Sequence, residues 1–207
     1  IAIFIFSFLC LVFIWEQLKH FNCLSAEFLA LFLFSILGSL VVVSSGDFLL
    51  LYIGLELSAL PIYALIALNT SYKTSYEAAL KYFVMGCVAS AFLLFGISLI
   101  YGLSGTLNLY DNNSYFKNSD NFEYISNGIF YFSPVFILAG ICFKFGAAPF
   151  HMWVPDVYRG TTSFIVMIIG TIPKIAAYAM MRRLLSVVFV VDTPLCVCAY
   201  IISFVAF

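Results

Sequence analysis

The side chains able to do chemistry in this chain are few, and their placement carries the information. Glu56 stands nine residues beyond Asp47, about 14 Å along a helix, inside an apolar string. Lys144 lies midway through the apolar run 129–153 and Lys174 midway through the run 162–184. Lys81 is shallower, five residues into the run 76–101. A lone charge at the middle of a bilayer costs about 2.5–3.5 kcal/mol on insertion scales. One acid and two or three lysines at such depth need partners in the interior of a bundle. A buried carboxylate and a buried ammonium each change the other's hold on a proton. Such a pair can keep or release a proton according to its neighbours, which is the chemistry of a proton relay. The plainer reading is an ion pair that only locks helices together, and for Lys81 a side chain that snorkels to the interface.

Two of these lysines coincide with expected helix breaks. Gly146 and Pro149 interrupt the run that carries Lys144, and Pro173 directly precedes Lys174. A proline removes one backbone donor and frees the carbonyl four residues before it. In lipid this is tolerated only where protein or water satisfies the freed group, and transporters place such breaks at ion sites near the midplane. The plainer reading is an ordinary proline kink. His151 follows Pro149 by two residues, and since an ordinary imidazole can exchange a proton at physiological pH it is a candidate carrier between Lys144 and the aqueous side. It reads equally well as an interfacial histidine beside Trp153. Asp156 and Arg159, in the next turn, are expected to pair with each other or with solvent.

The elements that must position these groups follow from composition. Of the 207 residues, 64% are hydrophobic and 9% charged, with a net charge of −1. A soluble domain is about 45–50% apolar and about 25% charged, so a soluble enzyme and a disordered chain are excluded. The charge balance gives no basic patch for nucleic acid. Apolar runs occupy residues 1–15, 27–45, 47–68, 76–101, 129–153, 162–184 and 193–207. The stretch 104–128 is the one long polar segment and reads as an exposed loop with room for a short element. The last run is short of the roughly 20 residues that cross a bilayer, so it reads as a partial span. The fold class is therefore all-α membrane protein, a single transmembrane domain over 1–207 with about seven helices. Strict alternation is absent, which disfavours a β-barrel.

Other signals are weak. The positive-inside count sets Lys19, Lys73 and Arg159 against Lys117, Arg182 and Arg183, and fixes no orientation. Asn69 and Asn112 match the glycosylation triplet, but in consecutive loops on opposite sides. The six cysteines, Cys10, Cys23, Cys87, Cys142, Cys196 and Cys198, show no metal-ligand spacing. All but Cys23 sit in apolar runs and are expected to be small buried hydrophobes. Residues 1–15 show neither a charged n-region nor a small-residue cleavage site, so they are expected to be part of a span, with upstream residues missing or an unusual start. The wealth of Phe and Tyr leans towards an organellar coding sequence.

The strings LYIGLELSALPIYALIAL (51–68), EAALKYFVMGCVASAFLLFGISLIYGLSGTLNL (77–109) and GICFKFGAAPFHMWVPDVYRGTT (140–162) resemble one family. They are similar to the subunit 2 (chain N) family of respiratory complex I, an antiporter-like membrane subunit of NADH dehydrogenase. The likeness is close over 47–109 and 140–183, looser over 1–46, and nearly absent over 110–128. It implies a five-helix antiporter-like repeat with a broken helix, over about 27–184. It further implies that Glu56 is the family's functional glutamate and Lys144 the lysine of its broken helix. Lys174 would pass protons onward along a hydrophilic axis, and Lys81 would be a less central lysine of the same relay. The loop after residue 68 and the 153–161 turn would share one side, the matrix side.

The function so implied is a membrane-arm subunit of a proton-pumping NADH:ubiquinone oxidoreductase that contributes half of one proton channel. The chain itself would hold no cofactor and no metal. Flavin, iron–sulfur clusters and quinone would belong to other subunits, and phospholipid would coat its outer face. Partners would be other membrane-arm subunits. Because family members carry two inverted repeats and only one is found here, a second polypeptide supplying the other repeat, or a fragmentary chain, is expected. The expected location is the mitochondrial inner membrane, ahead of a bacterial plasma membrane. A cation/proton antiporter chain and a purely structural scaffold of the membrane arm are the rival readings.

Overall fold

The computed structural model describes residues 1–21, 26–68, 73–117, 129–148 and 150–188. The run 193–207, Asn69, Pro149, Cys23, Cys196 and Cys198 lie outside them. The described residues form α1 (Ala2–Phe21), α2 (Ala26–Ser44), α3 (Phe48–Ala67) and α4 (Lys73–Ser104). They continue with α5 (Leu109–Lys117), α6 (Ile129–Phe145), α7 (Trp153–Gly160) and α8 (Ser163–Val188). Each remaining apolar run is thus a helix, because in hydrocarbon a helix alone satisfies its own backbone. Four of these helices are long and apolar enough to cross a membrane: 26–44, 48–67, 74–104 and 163–184. Shorter apolar stretches cover 2–14 and 132–145. The polar segment does contain an element of its own, α5.

Three differences from the sequence reading have physical causes. First, α1 runs through the polar cluster after Ile14 and ends only at Phe21. Helix ends are set by backbone pairing, not by where apolarity stops. Second, Pro173 does not break its helix, since α8 is continuous from Ser163 to Val188. Pro61 and Pro134 likewise sit inside continuous helices. One missing donor is absorbed by a long helix whose neighbours hold it straight. Third, Cys87 is exposed, whereas Cys10 and Cys142 are buried. α4 turns Cys87 to its outer face along with Leu80, Val84 and Phe95.

The helices pair by close approach. α2 lies along α3, α4 along α6, and α8 touches α1, α2, α3, α5 and α6. A Cβ on Gly38 would strike the α3 backbone at Ser58, and one on Gly140 would lie 2.8 Å from the Cβ of Leu93 on α4. Small residues at these crossings are what packing in lipid requires, because lipid tails give no hydrophobic drive for association. Ser133 adds a buried hydrogen bond from its hydroxyl to the carbonyl of Gly96, joining α6 to α4.

Each end of the bundle is closed by polar contacts. At one end the hydroxyl of Ser75 donates to the carbonyl of Gly160 at 3.0 Å, tying the start of α4 to the end of α7. The start of α4 and the end of α7 therefore lie at the same end of the bundle. At the other end Asp47 and Asn108 form an antiparallel bridge, and Arg183 donates to the carbonyl of Ser45. Asn112 is fully buried there, its side-chain N–H group donating to the carbonyls of Thr106 and Asn108. It is a structural plug, unfit as a glycan acceptor.

Candidate functional site

The site begins with the end of α6. Gly146 has φ +71°, the left-handed region that glycine enters without a Cβ clash. The N–H of Gly146 donates to the carbonyl of Phe143 at 3.0 Å, and that of Ala147 to the carbonyl of Cys142 at 2.9 Å. This pair of bonds is a Schellman motif, the ordinary way to stop a helix. The α6 helix stops here, and the cause is the sign of one φ angle. Pro149 lies outside the described residues. The chain resumes as α7, whose first residue, Trp153, is buried. Its indole N–H donates back to the carbonyl of Phe143 at 3.2 Å.

Lys144 occupies the last turn of the stopped helix. A cation is favoured there by the carbonyl ends of the helix. Its side chain is 10% exposed, and among the described residues its amine makes no hydrogen bond. The nearest acid is Glu56 of α3, with Lys144 Nζ 4.0 Å from Glu56 Oε1. This is within ion-pair range but beyond hydrogen-bond contact. The Glu56 side chain is 25% exposed.

Glu56 has a second neighbour that the sequence did not single out. The hydroxyl of Ser90, on α4, lies 2.5 Å from Glu56 Oε1 and donates to it. The same oxygen therefore faces both Ser90 and Lys144. Ser90 Oγ is also 2.9 Å from the carbonyl of Gly86, one turn earlier in its own helix. The crossing of α3 and α4 is tight here, because a Cβ on Gly86 would collide with the hydroxyl of Tyr63. From Tyr63 an aromatic row continues through Tyr82, ring centroids 4.8 Å apart, to Trp153, at 4.5 Å and stacked. The row ends on Phe143, 5.3 Å from Trp153. It links the helix of Glu56 to the stop that carries Lys144.

The other candidates stand apart from this pair. Lys174 lines a cavity of about 430 Å³ with Phe6, Phe145, Gly170, Thr171, Ile175 and Tyr178. Phe145 is the neighbour of Lys144, so the cavity reaches the back of the helix stop. The hydroxyl of Thr171 is turned onto the carbonyl of Met167, its own helix, at 2.8 Å. Lys81 is half exposed and bonded to Glu77 at 2.9 Å and Asp156 at 3.0 Å. Asp156 thus pairs with Lys81 across the α4–α7 contact, in place of the pairing expected with Arg159. His151 is exposed in the turn before α7, where its backbone carbonyl accepts from the N–H of Val154. Among the described residues no hydrogen bond or ion pair joins Lys81, Lys174 or His151 to Glu56 or Lys144.

The chain has relatives among known proteins. The chain is 45% identical to the NADH-quinone oxidoreductase subunit N of Ruthia magnifica over 179 residues, 86% of this chain and 37% of that protein. It superposes on a chain of respiratory complex I from Thermus thermophilus with a TM-score of 0.68 and 32% identity. That match covers 88% of this chain and 39% of the other. A chain of the membrane-bound sulfane sulfur reductase, an archaeal respiratory membrane complex, gives a TM-score of 0.72 at 29% identity, covering 89% and 36%. The chain therefore spans little more than a third of the length of the relatives it matches. The curated relatives are bacterial, which gives the expected mitochondrial placement no support while leaving a membrane-integral chain. The NADH:quinone oxidoreductase/Mrp antiporter transmembrane family matches residues 45–207, and the chain belongs to it.

Proposed function

We propose that this chain is part of an antiporter-like membrane-arm subunit of a proton-translocating NADH:quinone oxidoreductase, and that the Glu56–Lys144 pair is its proton-handling element. The observation that carries the reading is a buried amine 4.0 Å from a carboxylate oxygen that another residue holds, with no hydrogen bond to it among the described residues. A structural salt bridge would close to hydrogen-bond contact and satisfy both groups. A pair that must alternate between open and closed is served by one partner held slightly away.

In this reading a shift of charge in a neighbouring subunit tightens or loosens the pair. When the pair loosens, the proton of Lys144 passes towards Lys174 along the cavity behind Phe145. Lys81 and His151 lie nearer the aqueous end and would serve proton entry or exit. The redox groups, flavin and iron–sulfur clusters, and the quinone act in other subunits of the assembly. The rest of the path lies in the other repeat of the relatives, reached either as a continuation of this chain or as a second polypeptide. Phospholipid would cover the outward apolar face. The location is an energy-transducing membrane; the bacterial relatives favour a plasma membrane over the mitochondrial inner membrane that the Phe- and Tyr-rich composition suggests.

The test uses the whole complex in sealed vesicles, with protons moved per NADH oxidised as the readout. Glu56→Gln and Lys144→Ala are each expected to lower the proton yield with assembly intact. Normal yield in both variants overturns the relay and leaves a scaffold. Sodium-dependent pH changes in vesicles lacking NADH dehydrogenase activity would instead establish a cation/proton antiporter.

A further inference from the structure

We infer that Ser90 is a positioning residue for the Glu56–Lys144 pair, a two-position hydroxyl donor that lets the pair open without leaving Glu56 unpaired. The inference deepens the relay reading and rests on it.

The geometry is specific. Ser90 Oγ has one hydrogen and two acceptors in range, Glu56 Oε1 at 2.5 Å and the Gly86 carbonyl at 2.9 Å. Ser90 is buried, so water does not compete freely for that hydrogen. A serine in a membrane helix commonly returns its hydroxyl to the carbonyl of the preceding turn. Ser98 and Ser104 on the same helix do this with Phe95 and Ile100. Ser90 alone of these three also faces a carboxylate.

Two hydrogen-bonding states follow from a single rotation about the Cβ–Oγ bond. With Glu56 ionised, Ser90 donates to Oε1. This charge-assisted bond replaces contact with Lys144, which stays 4.0 Å away. With Glu56 protonated, its new O–H can donate to Ser90 Oγ, and the serine hydrogen turns to the Gly86 carbonyl. No covalent bond changes in the serine. The bonded carboxyl oxygen of Glu56 and the serine hydroxyl stay paired in both states, and leaving either unpaired when buried would be costly. Without the hydroxyl, an ionised Glu56 would lose its one hydrogen bond to a side chain among the described residues. It would be drawn to Lys144, and the pair would stay closed more often.

The experiment compares Ser90→Ala, Ser90→Thr and Ser90→Cys in the assembled complex, reading proton yield, kcat and KM for NADH, and the infrared carboxylate band of Glu56 identified by its loss in Glu56→Gln. Ser90→Ala is expected to lower coupled kcat roughly tenfold, the equivalent of one hydrogen bond to a charged group, with KM unchanged. The Glu56 band should move. Ser90→Thr, which keeps the hydroxyl, should restore both. In a Glu56→Gln background Ser90→Ala should add no further loss. An unchanged band and turnover in Ser90→Ala, or equal losses in the Thr and Ala variants, would overturn the inference as mere packing. If Ser90→Ala does not assemble, Ser90→Cys takes its place, with a smaller loss expected from its weaker donor and no loss counting against the inference. Normal pumping in Glu56→Gln would instead remove the relay reading itself, independently of what the serine variants do.

Discussion

The indole N–H of Trp153 donates to the carbonyl of Phe143 at 3.2 Å, so the helix after the break holds the end of the helix before it. The bonded carbonyl belongs to the residue next to Lys144. The orientation of α7 and the placement of the buried amine are therefore one mechanical unit.

Trp153→Phe tests that unit. Phenylalanine keeps a ring to stack on Tyr82 but loses the donor. The carbonyl of Phe143 retains the N–H of Gly146, so the cost should be that of one ordinary hydrogen bond, about 0.5–1.5 kcal/mol. Trp153→Ala also loses the buried rings and should cost about 3–5 kcal/mol. Thermal inactivation of the assembled complex measures both. Proton yield should fall in Trp153→Phe while the complex still assembles.

Gly146→Ala attacks the same stop from the backbone. A Cβ there would sit 2.7 Å from Cγ2 of Val154, on a residue with φ +71°. The left-handed conformation alone costs a non-glycine residue about 1–2 kcal/mol, and the clash adds to it. The expected outcome is lower assembly on native gels together with lower pumping in what assembles. Gly102→Ala is the control, since a Cβ there would meet nothing within 4 Å, and it should behave as the native chain.

The deep charges were legible because apolar runs make any ionisable group conspicuous. Glu56 and Lys144 stand out in this way, and the structure brings them to 4.0 Å. Ser90 was not legible, because on paper it is one serine among several in α4. Only the rotation that stacks Gly140 against Leu93 turns it to Glu56 while Ser98 faces away. Pro173 was misread for the opposite reason. Proline is conspicuous, but a continuous helix tolerates it, whereas Gly146 stops its helix by reversing φ. Asp156 was assigned the wrong partner because Lys81 is 75 residues away in sequence and adjacent only once α4 lies against α7.

Lys81→Met and Asp156→Asn separate a latch from a relay. Both side chains are about half exposed, and such pairs are screened and weak. Ser75 and the Tyr82–Trp153 stack also hold α7 to α4. Each single variant should therefore lower pumping by less than about twofold, as expected for an exposed pair. Lys81→Arg, which can still bond both Glu77 and Asp156 but does not release its proton, should behave as the native chain if the contact is only a latch. A loss in Lys81→Arg as deep as that of Lys144→Ala would make Lys81 a proton carrier.

The stability of the central pair should be asymmetric. Glu56→Gln leaves the Lys144 amine buried with no acid near it, and breaking a buried pair from one side costs about 3–5 kcal/mol. Lys144→Met is milder. It puts an apolar side chain of similar length where the amine was, and Glu56 keeps the Ser90 hydroxyl and its partial exposure. The double variant Glu56→Gln/Lys144→Met removes both charges together. It should be more stable than Glu56→Gln alone, a non-additivity that marks direct coupling. Proton yield should be lost in all three, so stability and pumping would change in different orders. Thermal inactivation and proton yield on the same preparations measure both. Simple addition of the two single effects would mean that Lys144 and Glu56 do not sense each other across their 4.0 Å, and the relay would lose its central pair.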